Sequence, residues 1–127
     1  MSLGNTMSPI NKSNAEHYSW GSGCDGWRLL NRPDLAVIQE LIPPGLGEVK
    51  HYHNKSRQVF FVLNGSLEMS VGEETIQLAE GDSLEVAPTI PHRIWNPYQK
   101  EVWFLVVSAP STTDDRVYLE PSPPRSS

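Results

Sequence analysis

From residue 27 to residue 108 the apolar residues stand in short runs of strand length, separated by the turn formers NRPD, PPG, NGS, VGEE, EGD and NPY. Almost nothing shows the three-to-four-residue apolar spacing of an amphipathic helix. The pattern predicts strands near 27–31, 34–42, 47–53, 57–64, 66–71, 74–78, 83–87, 91–96 and 101–108. Several alternate as a sheet with one wet face does: in SLEMSV, Leu67, Met69 and Val71 share one side, and Ser66, Glu68 and Ser70 the other. VFFVL and VWFLVV are apolar at every position, which predicts central strands covered on both faces. Short strands joined by glycine-bearing turns predict an all-β fold, a jelly-roll β-barrel with sheltered edges and a mouth for a ligand.

The ends of the chain read differently. Residues 1–16 are polar and aperiodic and are expected to form a flexible N-terminal segment, with a single barrel domain over 17–119. Residues 120–127 concentrate Pro and Ser, and because proline lacks the ladder donor they are expected to be a flexible tail.

A chain of 127 residues is the size of one domain with one core. Ten basic residues against fifteen acidic ones give a formal charge of -5, with no block of like charge, which speaks against nucleic acid and membrane surfaces as partners. The single cysteine, Cys24, allows no internal disulfide, and the N-terminus has no basic region followed by a long apolar run. A cytoplasmic protein is expected. The longest apolar runs have strand length, far short of the roughly 20 residues of a membrane span.

Of four histidines, His51, His53 and His92 fall within predicted strands. Residues 51 and 53 of a strand point to the same face, so two imidazoles stand side by side as neighbouring ligands for one ion. Gln58 opens the next predicted strand and returns toward the same interior if that strand pairs antiparallel with the first. His92 completes the set only if the fold brings its strand alongside.

The segment GLGEVKHYHNKSRQVFFVLNG, from Gly45 to Gly65, resembles the first motif of the cupin superfamily: Gly, five residues, His-x-His, three or four residues, Glu, six residues, Gly. Every spacing agrees, and only the Glu is replaced, by Gln58. GDSLEVAPTIPHRIWN resembles the second motif, with Gly81, Asp82, Pro91, His92 and Asn96 in register; it departs where Ala87 and Thr89 replace the usual Pro-x-Gly ends. The resemblance spans roughly residues 34–108. It implies the same jelly-roll barrel, a metal held by His51, His53, Gln58 and His92, and a homodimer.

Imidazoles suit one divalent transition metal among Fe, Mn, Ni, Zn and Cu. A carboxylate would cancel one unit of the ion's charge, whereas the amide of Gln58 cancels none. The site therefore favours a small anionic ligand. If Gln58 stands back, a three-histidine face with open positions remains, which suits a non-haem dioxygenase acting on a small organic anion. The alternatives are a non-catalytic small-molecule binding or sensing cupin and a sugar isomerase- or epimerase-like cupin, for which no phosphate-cradling loop or basic cluster is visible.

Gln39, Glu40 and Asn96 interrupt apolar strands and are candidates for holding the histidine rings. Phe60, Ile94 and Trp103, with Gln39, are candidates for the pocket lining. Arg28 stands beside Trp27 and could meet an anion, Arg93 is expected on the outer face, and Cys24 reads as a buried thiol rather than a nucleophile.

Overall fold

The computed structural model describes residues 8–119, so Met1 to Met7 and the whole 120–127 tail lie outside the described residues. Eleven strands and no helix occur among the described residues: β1 (Glu16–Trp20), β2 (Cys24–Arg32), β3 (Leu35–Ile42), β4 (His51–Tyr52), β5 (Arg57–Asn64), β6 (Ser66–Val71), β7 (Glu74–Ala79), β8 (Ser83–Val86), β9 (His92–Trp95), β10 (Val102–Ala109) and β11 (Val117–Tyr118). They form a six-stranded sheet, β1-β2-β3-β10-β5-β8, and a five-stranded sheet, β11-β4-β9-β6-β7. Every pairing is antiparallel. The fold is the all-β jelly roll.

The core lies between the sheets and follows the period of two. Phe60 and Val62 of β5, Phe104 and Val106 of β10, Leu67 and Met69 of β6 and Ile94 of β9 all point inward and are buried. Removing each such side chain from water contributes about 1.5–3 kcal/mol. One of the two uniformly apolar strands differs from expectation: Val59, Phe61 and Leu63 are 36–38% exposed, so β5 is covered on one side only within this chain, whereas the outer apolar residues of β10 are half-buried.

The strand boundaries depart from the pattern at three places. The predicted strand at 47–53 shrinks to His51–Tyr52, because the residues ahead of it make no continuous ladder and Gly47 forms only an isolated bridge to Trp95. β1 was not anticipated: no strand was expected before residue 27, and it begins at Glu16, inside the stretch expected to be flexible, while Lys12 already lies 4.2 Å over the Trp103 ring. Nor was β11 anticipated: two residues after a polar stretch carry no alternation to read.

Candidate metal centre

β4 and β9 pair with His51 opposite His92, so one ring from each motif meets across the sheet. His53 follows two residues after His51 on the same face. The ring centroids of the three histidines are 4.4–5.4 Å apart. One nitrogen from each lies within 4.8 Å of the others, and all three side chains are buried. This is the only group of three or more His, Cys, Asp or Glu side chains with metal-binding spacing among the described residues.

Main-chain carbonyls orient the rings. His51 Nδ1 is 2.9 Å from Val49 O, His53 Nδ1 is 2.8 Å from Asp115 O, and His92 Nδ1 is 2.9 Å from Ile90 O. A carbonyl only accepts, so each Nδ1 carries the hydrogen and each Nε2 keeps its lone pair. Burial pushes His51 down to about 3 and His92 to about 4 and lowers His53, so the rings are neutral at pH 7 and fit to ligate. Gln39, Glu40 and Asn96, expected to hold the rings, do not do so. Asn96 instead donates to Ile42 O and Lys100 O and accepts from the Tyr98 N–H, fixing the turn after β9.

Gln58 reaches the site from the opposite sheet: β5 pairs with β10 and β8 rather than with β4, which corrects the expected hairpin return. Its Nε2 donates to Ser108 Oγ at 3.0 Å. Gln58 Oε1, His53 Nε2 and His92 Nε2 are buried acceptors with no hydrogen-bond partner. Buried acceptors left without a donor cost on the order of 1–3 kcal/mol each. Three of them, two belonging to the histidine cluster, fit a divalent cation.

Two features of the site had no advance reading. Glu48 stands with Oε2 3.9 Å from His51 Nε2 and Oε1 4.0 Å from Arg116 Nη1. Burial raises it to about 8, Arg116 opposes that rise and Glu40 adds to it. Asp115 accepts through its carboxylate from the N–H groups of Asn54, Lys55 and Ser56, at 2.9–3.0 Å, so it holds both the loop after His53 and, through its carbonyl, the His53 ring. Burial would raise its carboxyl, and the backbone N–H donors hold it below the usual value. The acidic residue in GLGEVKHYH was the available signal for Glu48; Asp115 is 62 residues from His53 and gave none.

A cavity of about 190 Å³ opens between the sheets, with His51, Gln58, Phe60 and Ile94 in its wall. Gln39 and Trp103 are not in that wall. Ala36, Ile38 and Glu40 of β3 face in, so Gln39 faces out, and Trp103 stacks on Trp27 at 5.6 Å on the outer side. Four charged groups also stand in the wall: Arg28, which the sequence offered as a contact for an anion, and Glu40, Glu48 and Arg116, which were not expected there. Cys24 is buried in the core with its thiol pushed up to about 12, chiefly by burial, and is no nucleophile.

The cupin domain family matches this chain over residues 38–108. The H2HPP isomerase of Bacillus subtilis is 31% identical over 84 residues, 65% of this chain and 35% of that protein. The chain spans between about a third and a half of the length of the curated relatives it matches. Among solved structures, KdgF from Halomonas sp. superposes with a TM-score of 0.75 at 18% identity, over 84% of this chain and 96% of that one. A sugar phosphate isomerase of the cupin superfamily from Silicibacter pomeroyi superposes with a TM-score of 0.70 at 20% identity, over 82% and 76%. With more than half its length matched, two facing antiparallel sheets and both histidine motifs meeting at one point, the chain belongs to the cupin family.

Proposed function

We propose that this protein is a metal-dependent enzyme acting on a small organic anion, and that its reaction is a proton-shift isomerisation. The observation that carries this is the grouping of three neutral, carbonyl-oriented imidazoles beside a cavity whose wall holds one of them, His51, together with Gln58, Glu40 and Glu48, the Gln58 amide oxygen being unpartnered. His51, His53 and His92 would hold the ion, with Gln58 as a neutral fourth neighbour. A divalent ion held there would supply Lewis-acid polarisation of a carbonyl oxygen. Because none of these four side chains carries negative charge, an anion is the ligand that restores neutrality. Arg116 and Arg28 in the wall suit the same charge. The volume lies below the roughly 300–1,000 Å³ of drug-sized pockets, which restricts the ligand to a small molecule. Isomerase names among the relatives agree with this reading.

The second reading, a non-haem dioxygenase, is favoured by the absence of a carboxylate among the four histidine-motif positions, which suits a three-imidazole centre with open positions. The two readings part in one experiment. Protein loaded with Fe(II), Mn(II), Ni(II) or Zn(II) is incubated with enolisable oxo acids and diketones, with products followed by NMR and oxygen by electrode. Conversion without oxygen uptake, lost in His51→Ala, is the expected result; oxygen consumption moves the assignment to the second reading. Tight binding with no conversion of any compound would make the protein a binding module instead.

The exposed Val59, Phe61 and Leu63 row supports a homodimer built on the outer face of the six-stranded sheet, where burial of three large apolar side chains would favour association.

A further inference from the structure

The row of residues Tyr18, Gly26 and Glu40 runs across three adjacent strands in direct register. A side chain on the middle strand would separate the outer two. Gly26 has none: a Cβ built there would lie 2.4–2.6 Å from ring and hydroxyl atoms of Tyr18. The tyrosine ring therefore occupies the space above the glycine, and its hydroxyl donates to Glu40 Oε2 at 2.6 Å, two strands away. The Arg28 guanidinium carbon lies 4.1 Å from the centroid of the Tyr18 ring, and its Nη1 is 3.3 Å from Glu16 Oε2. Tyr18, Arg28 and Glu40 all line the cavity that His51 lines.

A core would not ordinarily contain this arrangement. A buried carboxylate costs stability that one tyrosine hydrogen bond does not recover, and an apolar pair of the same volume would serve packing better. We infer that Glu40 is the proton-transferring catalytic residue of this cavity, that Tyr18, seated across Gly26, is its positioning residue, and that the substrate is a small 2-oxo carboxylate with hydrogen on the carbon next to the carbonyl. This rests on the metal-dependent isomerase reading above. Tyr18 occupies Oε2, which leaves Oε1 for the substrate. In the step, a substrate C–H bond breaks, its proton forms an O–H bond on Glu40, and the electron pair moves into the neighbouring carbonyl to give an enolate. Glu40 then returns the proton to carbon, the carboxylate is regenerated and no oxidant is needed. A carboxylate on the substrate meets the guanidinium of Arg28 or Arg116. Burial raises Glu40 to about 7, so both protonation states are available near neutrality. The titratable and charged groups around it are Tyr18 from β1, Cys24 and Arg28 from β2, Glu48 ahead of β4 and Arg116 ahead of β11.

The test uses the full chain loaded with Zn(II), with pyruvate, 2-oxobutanoate and 2-oxoglutarate as probes in D2O. Exchange of the C3 hydrogens is followed by NMR. Wild type is expected to exchange at least one probe about 100-fold faster than Zn(II) alone, and Glu40→Gln to lose about 100-fold or more of that rate. Tyr18→Phe should lose about tenfold and move the acid limb of the pH profile upward, because the lost hydrogen bond no longer favours the carboxylate. Both variants should bind Zn(II) within about threefold of wild type, since neither residue holds a histidine ring. A second readout needs neither metal nor probe: the infrared carboxylic C=O absorption of metal-free protein at pH 6, to which Glu48 also contributes, should lose the Glu40 component in Glu40→Gln and show that component shifted in Tyr18→Phe. The latter variant keeps the test usable if the former fails to fold. Wild-type exchange in Glu40→Gln, or a Zn(II)-loaded wild type that exchanges none of the probes, overturns the inference and leaves the metal reading intact. A chain that binds no metal sinks the metal reading, and an unshifted infrared band in Tyr18→Phe then removes the Tyr18–Glu40 pair as well.

Discussion

The cavity has two differently built ends. At the histidine end each ring is held by a main-chain carbonyl, of Val49, Ile90 or Asp115, so its orientation follows from the path of the backbone and not from neighbouring side chains. At the acid end Tyr18 and Glu40 hold each other, and their meeting depends on an absent side chain at Gly26. The first design tolerates substitution around it. The second is vulnerable at one position that bears no functional group at all, and the two should therefore fail independently.

The largest effect that separates them is expected from His92→Ala. Losing a ligand should weaken Zn(II) affinity by more than about 100-fold, beyond the 10–100-fold typical of outer-shell changes, while the infrared band of Glu40 stays in place. Isothermal titration and the spectrum together read both ends. Gly26→Ala is the converse. Its methyl group would overlap the Tyr18 ring, and overpacking of this kind costs about 1–3 kcal/mol, measurable as a lower urea midpoint with Zn(II) affinity unchanged.

The two ends should also respond to pH with opposite sign in the metal-free protein. The unfolded chain takes up protons on histidine below 6.5, whereas folded His51 and His92 resist to about 3 and 4. Their contribution to stability is complete above pH 6.5 and is lost as the pH falls toward 4. Glu40 has an ordinary value of 4.5 and a folded value of about 7, so the folded protein keeps a proton that the unfolded chain has released. Stability associated with it is present below pH 4.5 and fades as the pH rises through 7. Glu40→Gln should leave the first slope intact and reduce the second to the share of Glu48, gaining on the order of 1–2 kcal/mol over wild type above pH 7 and nothing at pH 4.5. Melting temperatures of both proteins from pH 4 to 9 would show it; parallel curves would contradict it.

The smallest expected effect lies beside the histidine end. Thr89 has φ 71°, a left-handed conformation costly for a β-branched residue, and its N–H donates to His53 O at 2.7 Å. Thr89→Gly should stabilise the protein by about 0.5–1 kcal/mol after the entropy of the added glycine is counted, with the histidine rings unmoved. A fall in the denaturation midpoint would show that the threonine side chain matters more than its backbone.

How far each end could be read from sequence follows from the same difference. The alternation of His51 and His53 and the spacing to Gly65 and His92 encode the histidine end directly, because ligands on strands keep the strand period. The side from which Gln58 arrives could not be read, since strand partners are decided by topology rather than by the next turn. Glu40 drew notice as an interruption of an apolar strand, but its partner lies two strands away and its ring lies over a glycine. A glycine inside a strand, as in CDGW, often marks the close approach of another group, and that was the usable signal. Trp103 and Gln39 were assigned to the cavity by residue type, yet strand phase sends both outward. The exposed row of β5 reads as core because hydrophobicity alone does not say whether the covering surface belongs to the same chain.

Asp115 ties the last stretch of the barrel to the loop that follows His53, with its side chain on three amide groups and its carbonyl on the ring. Thermodynamic reciprocity then makes this latch run in both directions. An ion that tightens His53 also draws residues 110–119 against the loop, so metal loading should slow protease cleavage there, at a site remote in sequence from either histidine motif.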